Sequence, residues 1–242
     1  RGRGFRVGPR VVPLVPSAIL YDLENGGDKD WGSRLPYQAL ARAACDCAGA
    51  DFALGTAGAG YGAKAGGLKG GLGSASAVDD EGLQVGAVVA VNARGGVTLP
   101  GQPQFWAGPF EQGAEFGALP PPSQRAPLDP DLARSPPMGA STTIAVVASN
   151  AVLSKAEARH VAVMAQDGLA RSIRPVHTPF DGDTVFMLAT GRLAVPGPRP
   201  LLVARVGALA ADCLARAVAR GVYLAEGWEG LPSWREVYGS RS

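Results

Sequence analysis

Met138-Gly139-Ala140-Ser141-Thr142-Thr143-Ile144-Ala145-Val146-Val147-Ala148 is the stretch around which this chain is organised. A Pro-rich run without strand signals ends there. Two threonines then open a short β-branched, apolar run, the pattern of a buried strand. A hydroxyl residue in that place has two readings. It is an ordinary strand start, or it is the nucleophile of a hydrolase that cuts its own chain. Cleavage of the Ser141–Thr142 bond would leave Thr142 with a free α-amine beside its hydroxyl, so that nucleophile and base belong to one residue. An unperturbed α-amine titrates at about 7.7–8.0, close to working pH, as a general base requires.

Outward from this strand the patterns alternate in type. Towards the C-terminus, Thr142–Asn150 is followed by Ser154-Lys155-Ala156-Glu157, a capping box that predicts a helix to about Ile173. A loop at Arg174–Asp183, a strand at Thr184–Thr190 and a long Ala-rich helix from Leu201 to about Ala225 come next, before a Gly/Trp/Pro tail. Towards the N-terminus, residues 100–137 carry Pro, Gly and scattered aromatics without periodicity, which predicts a long surface loop or linker. Leu83–Asn92 reads as a strand. Residues 55–76 are so rich in Gly and Ala that we expect a loop rather than an extended regular element. Pro36 opens a helix to about Cys47, and Val11–Leu23, with prolines at 13 and 16, suggests an extended edge segment leading into a strand. Strands and helices are mixed without a strict βαβ repeat, which predicts an α+β layered sandwich.

The totals narrow the function. A chain of 242 residues with 46% hydrophobic and 18% charged residues buries a sizeable core, and a net charge of +2 gives no electrostatic case for nucleic acid or an anionic membrane surface. No apolar run is long enough to span a bilayer. Cys45, Cys47 and Cys213 form no C-x-x-C pair, and the two histidines lie far apart, which speaks against a zinc site and for a reducing compartment. Arg1 opens neither on a Met nor on a signal-peptide pattern, so the chain reads as if it begins inside a larger protein.

Candidate site residues carry more than one reading. Gly58–Ala63 matches G-x-G-x-x-A, with Asp79 and Asp80 about twenty residues on. It is a dinucleotide loop, a structural glycine loop, or a loop that presents Lys69 or Lys64 to a reacting group. Asn92 is a strand-end turn former or an oxyanion donor through its side-chain amide. Asp181-Gly182-Asp183 is a turn, or two carboxylates that hold a protonated amine. Tyr21 packs in the core with its hydroxyl at the rim, or lines a pocket. His177 is a general base or, with no second His or Cys near it in sequence, a hydrogen-bonded structural residue, and the structural role is the one expected.

Five segments together resemble a known family: VPSAILYDL with Tyr21, GAGYGAKAGGLKGGLGSAS, VVAVNARG with Asn92, STTIAVVASNA with Thr142, and IRPVHTPFDGDTVFMLATG with Asp181 and Asp183. The family is that of the L-aminopeptidase/D-esterase peptidases, which includes β-peptidyl aminopeptidases and nylon-oligomer (6-aminohexanoate oligomer) hydrolases. The resemblance implies a single four-layered αββα domain over 1–242 and self-cleavage into a 1–141 large subunit and a 142–242 small subunit. It also implies tetramers of the cleaved units and no metal or cofactor. It makes Thr142 nucleophile and base, Asn92 oxyanion donor, Tyr21 a pocket residue, and Asp181 and Asp183 the carboxylates near the nucleophile's amine. Lys69 or Lys64 stands in for a lysine that the nylon-hydrolase branch carries near Gly67. The residue before the scissile bond, commonly Asn in the family, is Ser141, and the family carries a substantial segment before the first residue here. The implied substrates are small peptides, amino-acid amides or esters, and linear ω-amino-acid oligomers, while the reducing compartment read from the cysteines suggests a cytoplasmic location. Two alternatives stand beside it: an acyltransferase of similar architecture, and a non-enzymatic phosphate- or nucleotide-binding module using the glycine loop.

Overall fold

In a computed structural model that describes residues 4–123, 141–228 and 230–239, the Thr142 run becomes a central strand. The described elements are, in chain order, β1 (Phe5–Val7), β2 (Arg10–Val12), α1 (Tyr37–Asp46), β3 (Lys64–Ala65), β4 (Leu68–Lys69), β5 (Gly71–Val78), β6 (Gln84–Val91), β7 (Ile144–Ala151), α2 (Lys155–Ser172), β8 (Thr184–Leu193), α3 (Arg199–Tyr223) and α4 (Trp234–Tyr238). A four-stranded sheet runs in the order β5-β6-β7-β8. The first two junctions are antiparallel and β7 pairs with β8 in parallel. A parallel pair needs a crossover, and α2 is that crossover, started by the Ser154/Glu157 capping box.

The core lies between this sheet and the pair α2–α3. Val85, Ala87, Val89 and Val91 of β6 and Ala145, Val147 and Ala151 of β7 are buried on the helix side at period two. Against them α3 buries Val206, Ala210, Leu214, Ala217, Val218 and Val222, and α2 buries Val161, Ala165 and Leu169. The small residues of α3 let it lie close to the sheet, and the sheet answers with glycine.

That close approach corrects the expected loop at 55–76. Gly71–Val78 is a full eight-residue strand, although the part before it is built of short turns and the two-residue strands β3 and β4. A Cβ on Gly73 would overlap the carbonyl oxygen of Ala217, and one on Gly71 would overlap that of Gly221. The glycines are there so that a strand can touch a helix backbone. Their period-two spacing (Gly71, Gly73, Ala75, Ala77) is the readable signal.

The segment after Pro100 is also more than a surface loop. Phe105 and Phe116 are buried, 5.4 Å apart edge to face, and Phe105 stacks on Trp234. Arg216 of α3, itself buried, makes a two-pronged ion pair with Glu115 (2.8 and 2.6 Å) and donates to the Ser76 carbonyl, tying this segment to helix and sheet together. Burial alone would raise the Glu115 carboxyl, but the Arg216 bonds hold it below the usual range. Residues 124–137 of the expected linker, Met138–Ala140 and Arg1 lie outside the described residues. At the N-terminal end only Val11 and Val12 of the expected edge segment are in a strand, in the exposed β1–β2 hairpin, and no strand follows them up to Leu23; α1 forms where Pro36 predicts it but buries none of its residues. The tail holds a helix not foreseen, α4, opened by a second capping box of Ser233 and Glu236.

The sheet face away from the helices is apolar and open. Val78 of β5, Val146 of β7 and Leu188 of β8 are 66%, 42% and 56% exposed. The described residues therefore form two layers of an α+β fold.

Candidate active site

Antiparallel pairing of β6 with β7 and parallel pairing of β7 with β8 bring three strand ends to one end of the sheet. The residue after β6 is Asn92, the residues before β7 are Ser141–Thr143, and those before β8 are Asp181–Asp183. Three stretches distant in sequence thus meet because of topology alone.

Thr142, almost wholly buried, sits at the centre. Its backbone N–H donates to the Asn92 carbonyl at 2.6 Å, and its hydroxyl donates to the carbonyl oxygen of Ser141 at 2.7 Å. The same Ser141 oxygen accepts the Gly182 N–H at 2.9 Å, and Ser141 bridges Asp181 in parallel register. The carbonyl before Thr142 is therefore polarised by a backbone donor while the hydroxyl lies against it.

The Asn92 side chain is buried and bonded at both ends. Its Oδ1 accepts the Lys64 N–H (3.1 Å) and Asn25 Nδ2 (3.2 Å), and its Nδ2 donates to the Tyr21 carbonyl at 2.7 Å. An amide nitrogen carries two hydrogens, so one remains for an incoming oxygen. Tyr21 reaches this cluster through its backbone. Its phenol donates instead to Glu24, at 3.4 Å, and is raised above its ordinary value, first by partial desolvation and then by the Glu24 charge. Asn25, which by sequence is no more than a turn residue beside Gly26, joins Asn92 to the Gly62 carbonyl.

The two aspartates flank Thr142, each held by its own set of hydrogen bonds. Asp181 accepts from Thr178 through both the N–H (2.9 Å) and the hydroxyl (2.6 Å), and from the Arg94 N–H at 3.4 Å. Asp183 accepts the Thr143 N–H at 2.8 Å through Oδ1 and contacts His177 Nδ1 at 2.8 Å through Oδ2. All four carboxylate oxygens have a partner within the chain, and the pair frames Thr142 from both sides.

Lys69, not Lys64, has the buried ammonium. Its Nζ donates to the carbonyls of Gly60 (2.7 Å) and Gly70 (3.0 Å) and lies 5.2 Å from the Trp228 ring. Burial lowers it from 10.5 to about 8, partly opposed by the charge of Asp22. Lys64 joins the cluster through its backbone N–H. The dinucleotide reading of Gly58–Ala63 does not survive. No strand leads into that turn, which is a single 3₁₀ turn (Gly58–Gly60), and it runs on into the β3–β4 pair instead of a helix. Among the described residues no group of three His, Cys, Asp or Glu is placed to hold a metal ion.

The sequence model of peptidase family S58 matches residues 4–233. The chain belongs to that family of peptidases, whose members break amide bonds. It is 45% identical over 250 aligned positions to an uncharacterized aminopeptidase of Mycobacterium tuberculosis, covering 98% of this chain and 70% of the relative. It is 28% identical over 209 positions to a 6-aminohexanoate-oligomer endohydrolase of Agromyces sp., covering 79% of this chain and 54% of that one. Among solved structures, a β-aminopeptidase of Burkholderia sp. aligns with a TM-score of 0.55 at 21% identity, covering 82% of this chain and 54% of that one. The L-aminopeptidase D-Ala-esterase/amidase of Ochrobactrum anthropi, described as a variant of the Ntn-hydrolase fold, gives 0.54 at 21%, covering 83% and 57%. The chain thus spans little more than half the length of these solved relatives.

Proposed function

We propose that this chain is a self-processing threonine hydrolase that cleaves amide bonds in small peptides and amino-acid amides through an acyl-enzyme on Thr142. One observation carries the reading: the Thr142 hydroxyl lies against the Ser141 carbonyl, 2.7 Å from its oxygen, while the Gly182 N–H binds that same oxygen. This arrangement brings Oγ1 beside the carbonyl that an N-to-O acyl shift would attack, with a donor on the oxygen that would gain the charge. Oγ1 adds to the Ser141 carbonyl carbon, the C–N bond breaks and the amide nitrogen takes a proton. Water then hydrolyses the resulting ester, leaving Ser141 as a carboxylate and Thr142 with a free α-amine.

In turnover the freed amine takes the Oγ1 proton, and the oxygen attacks a substrate amide. Charge developing on the substrate oxygen meets the second N–H of Asn92 Nδ2. The leaving amine departs with a proton, and water releases the acyl group. The named activities of the aminopeptidase relatives support an amino-terminal amide as substrate, and the 6-aminohexanoate-oligomer relative supports linear ω-amino-acid amides as its closest variant.

The finer architecture belongs to the same reading. A second sheet laid on the open face of Val78, Val146 and Leu188 would complete a four-layered αββα sandwich and remove that apolar surface from water. A tetramer of cleaved units and a cytoplasmic location go with it. The three free cysteines suit a reducing compartment, and no helix among the described residues is long and apolar enough to cross a membrane.

Thr142→Ala, assayed against amino-acid p-nitroanilides and short peptides, should abolish turnover while leaving the melting temperature within a few degrees. A Thr142→Ala protein with normal turnover contradicts the assignment.

A further inference from the structure

His177 stands out on two independent counts. Its backbone lies in the left-handed region at φ +53°, where few residues other than glycine are found. Such outliers persist where the surrounding structure over-determines them and gather at functional sites. Its Nδ1 lies 2.8 Å from Asp183 Oδ2, and the Asp183 side chain is only 4% exposed. The other oxygen of that carboxylate binds the N–H of Thr143, the residue after the nucleophile. From His177 to the nucleophile's peptide the path is two hydrogen bonds through one buried carboxylate.

We propose that His177 is a positioning residue for Thr142. A buried carboxylate needs its lone pairs occupied to stay in one place. With Nδ1 donating to Oδ2 and the Thr143 N–H donating to Oδ1, Asp183 is pinned from both sides. The Thr143 amide, and with it the Thr142 Oγ1, is then fixed relative to the Ser141 carbonyl. The left-handed turn at His177 is what swings the imidazole back across the loop, so that a residue six positions before Asp183 reaches it. The rest of the loop is fastened separately through Thr178 to Asp181. His177 therefore has its own task, that of holding Asp183. This inference rests on the reading of Thr142 as nucleophile.

The test uses three substitutions in the whole protein. His177→Asn keeps an amide N–H donor and tolerates the left-handed conformation. His177→Gly tolerates the conformation better still but donates nothing from a side chain, and His177→Ala lacks both properties. The readouts are the rate of self-cleavage by denaturing mass spectrometry, kcat and KM on an amino-acid p-nitroanilide, and the melting temperature. The Gly and Ala variants should lose about tenfold or more in kcat and in cleavage rate, with KM within about twofold, since small misplacements of a reacting group carry penalties of up to about 10². The Asn variant should recover most of that loss. A Gly variant as active as the parent, or an Asn variant as impaired as Gly, overturns the proposal. Thr142→Ala run alongside separates the two ideas: normal activity there sinks the nucleophile itself, whereas an inactive Thr142→Ala beside a fully active His177→Gly sinks only the positioning role.

Discussion

The backbone N–H of Thr142 donates to the carbonyl oxygen of Asn92 at 2.6 Å, so the candidate nucleophile and the candidate oxyanion donor are tied to each other directly. The bond extends the β6–β7 ladder beyond its last regular pair, Ala90 with Ile144. Both groups inherit the rigidity of the sheet's central strands, and the side chains they offer emerge at its end. Functional residues placed on such a rigid element keep their geometry better than residues on loops.

Asn92→Ala should lower turnover by about 10²–10³, the usual loss on removing one oxyanion donor. It should also lower stability by about 1–3 kcal/mol, because the Lys64 N–H and Asn25 Nδ2 lose their acceptor. Asn92→Asp removes the donor and sets a carboxylate oxygen against the Tyr21 carbonyl, so it should recover none of the turnover. Steady-state kinetics beside urea unfolding checks both. Unchanged turnover in Asn92→Ala would leave Asn92 a purely structural residue.

Gly182→Ala places a methyl group 3.0 Å from Thr142 Oγ1, closer than ordinary packing allows. The Gly182 backbone is not in the left-handed region, so the fold itself should accept alanine. Self-cleavage should slow by about tenfold or more while the melting temperature stays within a few degrees. Cleavage followed by mass over time decides this, and an unaltered rate would mean that the hydroxyl does not react from the position described.

Lys69 gives a pH signature. Its ammonium titrates at about 8 in the folded protein, against an ordinary value of 10.5. Between those values the unfolded chain binds the extra proton, so stability should rise with pH across that window, by roughly 3 kcal/mol in all, and be flat in this respect below about 8. Cys213, pushed up to about 11 by burial, works in the opposite sense at the alkaline end. The informative quantity is therefore the difference between the parent and Lys69→Met, measured by urea unfolding from pH 7 to pH 10.5. Parallel curves would mean that Lys69 keeps an ordinary proton affinity.

Gly73→Ala tests the packing of the edge strand. The added methyl has no room against the Ala217 carbonyl, so strand or helix must move, at about 2–3 kcal/mol or more. Gly67→Ala, where a Cβ meets nothing within 4 Å, is the control and should stay within about 1 kcal/mol. Chemical unfolding of both variants decides the point. Equal stability would remove the close-approach account of the glycine strand.

Much of this architecture is legible in the sequence where a period dominates. Leu83–Asn92, the Thr142 strand, the Ser154 capping box and the long Ala-rich helix all have a repeating apolar face or a cap whose cause is local. The Gly71–Val78 strand is marked only by the period-two spacing of its small residues, because its glycines answer a helix more than a hundred residues away, a tertiary demand that composition registers as looseness. Phe105 and Phe116 are hidden for a related reason: buried aromatics in a segment without strand or helix have no period to announce them. For the site, residue type points to Thr142, Asn92, Asp181 and Asp183, but their partners cannot be read. Whether Tyr21 contributes its phenol or its carbonyl, and which of Lys64 and Lys69 buries its ammonium, is set by side-chain direction. For His177 the sequence suggests a hydrogen-bonded role but not its partner, Asp183.

The central claim, that Thr142 is freed by cleavage of its own chain, is tested most directly by the intact mass of the purified protein under denaturing conditions. The account predicts two species, residues 1–141 and residues 142–242, the second starting at Thr142, and a single uncut chain for Thr142→Ala. A parent protein that hydrolyses amino-acid amides while remaining one uncut chain would contradict it.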